Sequence, residues 1–235
     1  MEELAELVHD PVFYGSGLPR GDGKVVLVLP GLFGNDLYLH PLHQWLRRLG
    51  YRPHRSTLAV NAGCPDRLRT QVEASLRRAM RNRPGRVALV GHSRGGMLAW
   101  ALASRMQNEV SHLALLGSPA PMLVRALREG LSYPPPGVAA SPVAQAGARA
   151  MKLLDPDCKM PACECAYPQD VRRPLSPDTR VLAIHSRDDQ VVTPKASIVE
   201  DTINPGAGNI EVSGTHSGLI FNRAVYRHLA DFLSS

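Results

Sequence analysis

Short apolar runs recur along the chain, and several are almost unbroken: "KVVLVLP" (Lys24 to Pro30), "RVALVG" (Arg86 to Gly91) and "SHLALLGSP" (Ser111 to Pro119). A strand with one wet face alternates apolar and polar residues. A run apolar at every position belongs to a strand buried on both faces. Between these runs the apolar residues recur at helical spacing. Strands that alternate with helices, and are themselves apolar on both sides, predict a mostly parallel sheet covered by helices on each face.

The pattern supplies six strands. "RPHRSTLAV" (Arg52 to Val60), "RVLAIHS" (Arg180 to Ser186) and "NIEVSG" (Asn209 to Gly214) complete the set. A short helix is expected within residues 1 to 23, before a Gly-rich approach to the first strand. Leu42, Trp45, Leu46 and Leu49 mark a helix that Gly50 caps, and Leu68, Val72, Leu76 and Met80 mark another that Pro84-Gly85 stops. "GGMLAWALASRM" (Gly95 to Met106) reads as a helix, and a further one follows Pro194. Val225, Leu229, Phe232 and Leu233 give the last helix its apolar face. Sites in such sheets form at the carboxyl ends of the strands.

With 235 residues and 44% hydrophobic content, the chain is sized for one domain with one well-buried core. No apolar run approaches the ~20 residues of a membrane span. The net charge of +6 comes from scattered arginines, with no basic block interleaved with aromatics, so a nucleic-acid partner is not expected. The opening "MEELAELVHDPVFYGSG" is acidic and interrupted by glutamates. A secretory signal starts basic and stays apolar, so the expectation is a cytoplasmic protein or one whose signal has been removed.

Residues 120–178 break the rhythm. They hold "SYPPPG", many alanines and three of the four cysteines, and are expected to form a partly helical cap over a core of 24–119 and 179–235. Cys158, Cys163 and Cys165 are spaced C-x4-C-x-C, a poor match to zinc pairs. With Cys64 they are read first as reduced thiols, second as a disulfide pinning the loop, and third as a metal site. No metal is assigned.

"VALVGHSRGG" places one hydroxyl between glycines, between a strand and a helix. Gly91, Ser93 and Gly95 fit G-x-S-x-G in the context that gives the pattern meaning. The glycines at Gly91 and Gly95 let strand and helix approach, and the turn lifts Ser93 above the sheet. "LPGLFGND" follows the first strand. Gly31 is expected to let the chain turn sharply there, so that the Leu32 N–H points into the cleft beside the Arg94 N–H. Two such amides are what a developing oxyanion requires. A serine also needs a base, and the base a carboxylate. Asp188 and Asp189 follow the fifth strand, and His216 follows the sixth.

On "VVLVLPGLFGN", "VALVGHSRGG", "AIHSRDDQVVTP" and "SGTHSGLIFN" the chain resembles the α/β-hydrolases of the esterase and lipase kind. The likeness runs from Lys24 to the C-terminus, apart from the cap. It implies a reduced α/β-hydrolase sheet of about six strands, with Ser93 as nucleophile, His216 as base and Asp189 as the orienting acid. It also implies Leu32 and Arg94 as oxyanion donors. In the family the acid stands just before a "VV-P" step, which selects Asp189 over Asp188. Family members often carry histidine where this chain has Pro30, so the oxyanion loop is expected to be held differently. The cysteine segment resembles cysteine-bearing caps of some bacterial hydrolases.

The implied activity is ester cleavage through an acyl-enzyme, with no cofactor, on a small-molecule or lipid-like substrate. An acyltransferase or a thioesterase would use the same triad, and a non-catalytic binding protein could keep the fold. Phe33, Met122 and Leu123, with Leu32, are candidate pocket residues. His92 is expected to pack or hydrogen-bond rather than act as the base.

Overall fold

A computed structural model describes residues 2–81, 85–131, 134, 142–158 and 165–235. Six strands form one parallel sheet: β1 (Val25–Leu29), β2 (Arg52–Arg55), β3 (Val87–His92), β4 (Val110–Leu116), β5 (Arg180–Ser186) and β6 (Gly208–Val212). Their order is β2-β1-β3-β4-β5-β6. The chain leaves β1 outward to β2, then crosses back to β3 on the other side. That reversal opens a crevice at the carboxyl ends of β1 and β3, where Leu29 pairs with Gly91.

The unbroken apolar runs are explained by two cores. Val25, Leu27 and Leu29 of β1 face one cluster, with Trp100 and Leu102 of α4 (Arg94–Arg105). Val26 and Val28 face the other, with Leu42 and Trp45 of α2 (His40–Arg48). α3 (Pro65–Met80) joins α4 on the first face. α1 (Glu2–His9) and the C-terminal helix (Arg223–Ser234) join α2 on the second. Burying one such Val or Leu side chain contributes about 1.5–3 kcal/mol. The outer strands β2 and β6 are mostly exposed and carry the polar sequences RPHR and GNIEV.

Two elements are shorter than their sequences suggest. β2 stops at Arg55 rather than Val60, because the Asp36 carboxylate takes the amides of Ser56 (2.9 Å) and Thr57 (3.0 Å), and Thr57 turns to φ 61°. The helix after Pro194 is a single turn, Pro194–Ser197, since the next amide partner of the chain is the Asn209 side chain, which accepts from Val199 N–H. Pro84, expected to stop α3, lies outside the described residues.

The segment expected as a cap divides. α5 (Ala120–Glu129) and α7 (Ala166–Arg172) send Leu123, Val124, Leu127, Tyr167 and Val171 into the first core. Between them α6 (Pro142–Leu154) has no buried residue. Cys64 is a free thiol. Cys165 is disulfide-bonded, which corrects the reduced-thiol expectation at that position. Cys163 and most of "SYPPPG" lie outside the described residues. Among the described residues, no helix is long and apolar enough to cross a membrane and no cluster of three His, Cys, Asp or Glu could hold a metal ion.

Candidate active site

β3 ends at His92, and α4 begins at Arg94, so one residue makes the turn. That residue is Ser93, at φ 53° and ψ −124°. A non-glycine there stores about 1–3 kcal/mol of strain, which the surroundings must hold. They do so through Ser93 N–H, which donates to Leu116 O of β4 at 2.9 Å, and Gly96 N–H, which donates to Ser93 O at 3.0 Å. The flanking glycines are required by contact. A methyl on Gly91 would stand 2.5 Å from Gly96 Cα, and one on Gly95 would strike the Leu29 and Pro30 carbonyls.

The other two side chains arrive from the loops after β5 and β6. Asp189 Oδ1 accepts the amides of Val191 and Val192, each at 2.8 Å. Its Oδ2 stands 2.6 Å from His216 Nδ1, and His216 Nε2 stands 3.0 Å from Ser93 Oγ. A carboxylate only accepts, so Nδ1 carries the imidazole proton and Nε2 is left to accept from the serine hydroxyl. Burial pushes the Asp189 carboxyl up, but the His216 hydrogen bond and the Val192 and Val191 amides outweigh it and hold the group below its ordinary value. Asp188 points to different work: its Oδ2 accepts Gly214 N–H at 3.1 Å and ties the loops after β5 and β6 together. Glu3 secures the His216 loop from α1, accepting from Thr215 N–H (3.1 Å) and Thr215 Oγ–H (2.7 Å).

Gly31 acts by close approach rather than by an unusual turn. A methyl there would come within 2.9 Å of His92 Nδ1, and its φ is not among the positive values. Asn61 holds the loop that follows. Its side-chain amide donates to Pro30 O at 2.6 Å, its backbone N–H donates to Gly34 O at 2.8 Å, and its carbonyl accepts Phe33 N–H at 3.1 Å. Among the described residues the Leu32 N–H has no acceptor, while Phe33 and Gly34 amides are committed to Asn61 and Gly31 carbonyls. Arg94 opens α4, and its guanidinium donates to Gly63 O at 2.6 Å, so that charge is engaged by the protein.

A cavity of about 510 Å³ opens beside Ser93. Leu32, Met97, Met122, Leu123, Met151 and Val192 give it apolar walls, and α6 closes one side. Phe33 is not among its lining residues. Its φ of 61° turns the side chain outward, leaving it 49% exposed, which corrects the pocket assignment.

Tyr38, Asn61, Gly117 and Gly147 were not singled out by their sequence context. Gly117 lies under the acid–imidazole pair at φ 52°, where a methyl would be 3.2 Å from Asp189 Oδ2. The glycine closing the fourth apolar run, in "LLGSP", was a signal for it.

The family described as alpha/beta hydrolase fold matches residues 63–138. The sequence matches no curated protein. In structure the chain is similar to Est1E from Butyrivibrio proteoclasticus, seen with ferulic acid bound, at 15% identity over 90% of each chain with a TM-score of 0.57. It is similar to a lipase-esterase related protein from Clostridium acetobutylicum ATCC 824 at 13% identity, covering 92% of this chain and 97% of that one, TM-score 0.57. It is also similar to the thioesterase domain from the curacin biosynthetic pathway at 19% identity, covering 92% and 93%, TM-score 0.53. At these identities the likeness is one of fold. Sheet order, the turn at Ser93 and the family match over residues 63–138 agree on the α/β-hydrolase fold for this chain.

Proposed function

We propose that the protein is a serine hydrolase that cleaves carboxylic esters through an acyl-enzyme. The observation that carries this reading is the line of hydrogen bonds from Asp189 through His216 to Ser93, beside an apolar cavity. Ser93 Oγ attacks the ester carbonyl carbon while His216 Nε2 takes its proton. The carbonyl oxygen becomes an oxyanion and meets the Leu32 and Arg94 N–H groups, at the positive end of α4. The acyl–oxygen bond then breaks, and the imidazolium returns the proton to the leaving alcohol. Asp189 keeps Nδ1 protonated and stabilises the imidazolium without taking a proton itself. Water attacks the acyl-enzyme by the same exchange through His216, releasing a carboxylic acid and free Ser93. No cofactor takes part.

The apolar lining favours a small-molecule or lipid-like ester with an uncharged acyl group. In this reading the cap narrows to α6, which lines the cavity without entering either core.

The test is hydrolysis of p-nitrophenyl esters of increasing acyl length, with the free acid measured alongside nitrophenol. The parent should release both in equal amounts, and Ser93→Ala should lose at least about 10⁴-fold in kcat with an unchanged Tm. Product without free acid would mean acyl transfer, preference for thioesters a thioesterase, and no turnover of any ester a binding protein.

A further inference from the structure

Tyr38 lies in the loop after the Gly31 turn, and the acyl-transfer scheme does not use it. Its hydroxyl stands 2.5 Å from His92 Nδ1. Across the same imidazole, His92 Nε2 stands 2.9 Å from the His216 carbonyl oxygen. A carbonyl only accepts, so His92 Nε2 carries a proton and donates it. In the neutral ring Nδ1 is then an acceptor, and the Tyr38 hydroxyl must be its donor. Burial pulls the His92 imidazole down to about 4, which keeps it neutral near pH 7. Burial also pushes the Tyr38 phenol well up, against a backbone hydrogen bond from Gly31, so its proton stays on.

The fit around this pair is close. A methyl on Gly34 would come within 3.1 Å of the Tyr38 ring. Tyr38 meets Phe221 edge-on with ring centroids 6.3 Å apart, at the end of the 3-10 turn Ser217–Phe221 that follows His216. The His92 and His216 rings lie 4.9 Å apart. One chain of donors therefore joins the oxyanion loop, the residue beside Ser93 and the backbone of His216.

We propose that Tyr38 and His92 are positioning residues that clamp the oxyanion loop to the His216 turn, fixing the spacing between the amide donors and the imidazole. This rests on the serine-hydrolase reading above. Neither side chain touches substrate in it. Loosening the clamp should leave the cavity, and so KM, nearly as it was, while small misplacement of reacting groups lowers kcat.

The experiment compares the parent with Tyr38→Phe, His92→Gln and His92→Asn, by steady-state hydrolysis of p-nitrophenyl butyrate and by NMR of protein labelled with 15N at histidine. Glutamine places an N–H where His92 Nε2 stands; asparagine reaches only the Nδ1 position. Tyr38→Phe, His92→Asn and His92→Gln should each lose about ten- to a hundredfold in kcat with KM little changed, because each breaks one of the two links. In the parent, His92 should be a single neutral Nε2–H tautomer, and its Nδ1 signal should move in Tyr38→Phe. Should a His92 variant fail to fold, Tyr38→Phe and the tautomer decide. Parental kcat in Tyr38→Phe, or an Nδ1–H tautomer in the parent, overturns the clamp. A parent that hydrolyses no ester overturns the hydrolase reading instead, and the tautomer still judges the contact.

Discussion

The strand-end loops and α6 face each other across one cavity but are held in opposite ways. Ser93 and Asp189 are each only 8% exposed, and each is fixed by several backbone hydrogen bonds. α6 has no buried residue, and Leu153 and Leu154 at its end are 83% and 53% exposed. Gly147 approaches so closely that a methyl would lie 3.1 Å from Leu32 Cδ2. Just beyond the helix, Asp155 accepts Cys64 N–H at 2.6 Å and pairs with Arg67 at 2.8 Å. In the proposed reading the chemistry sits on an over-determined frame, faced by a wall that has no buried residue.

That comparison breaks most sharply at the acid. Asp189→Asn should lower kcat about 10⁴-fold, because the wrong tautomer of His216 results. Asp188→Asn removes a loop contact and should cost less than about tenfold. Equal losses would mean the frame does not distinguish the two carboxyls.

Asn61→Ala comes next. It strips the Pro30 carbonyl of its buried donor and should cost about 1–3 kcal/mol of stability, read as a lowered midpoint in urea, together with a fall in kcat. A fall in neither would show that the oxyanion loop is held by something else.

Acid separates the two regions in another way. Burial pulls His43, His92 and His112 down to about 4, and all three belong to the frame; α6 carries no histidine. The unfolded chain takes up those protons near 6.5, which the folded chain resists until about 4. Stability is therefore intact above about pH 6.5, falls as pH drops from there to about 4, and levels below. Asp189, held low, adds a loss at still lower pH as it protonates. Calorimetric Tm values that stay flat from pH 7 to 4 would contradict this.

The smallest effects belong to α6. Gly147→Leu should press on Leu32 and raise KM several-fold for long-chain esters, with little change for acetate. Leu153→Ser, at an exposed position, should alter stability by no more than about 0.5 kcal/mol. A large loss of stability in Leu153→Ser would place α6 inside the frame after all.

The same contrast governs what the sequence reveals. The four inner strands were legible because burial on both faces demands apolar residues at nearly every position, as in β1 and β3, whereas the exposed β2 and β6 carry no such run. The three side chains of the Asp189–His216–Ser93 line were legible because each sits just past a strand end. The end of β2 was not, since it is set by Asp36, a residue twenty positions away whose carboxylate captures two amides. Asn61 and Tyr38 escaped for the same reason: each is a single loop residue whose partner is distant in the chain. Residues 120–178 were read as one unit because Pro and Gly obscured the periodicity, yet α5 and α7 bury ordinary helical faces. Phe33 misled because an aromatic beside an oxyanion loop suggests a pocket, and nothing in the sequence marks its positive φ.

The most direct measurement is covalent labelling with a fluorophosphonate, followed by peptide mapping. The account predicts one adduct, on Ser93, formed far more slowly in His216→Gln and absent in Ser93→Ala. An adduct on any other residue, or ester hydrolysis that survives in Ser93→Ala, would contradict it.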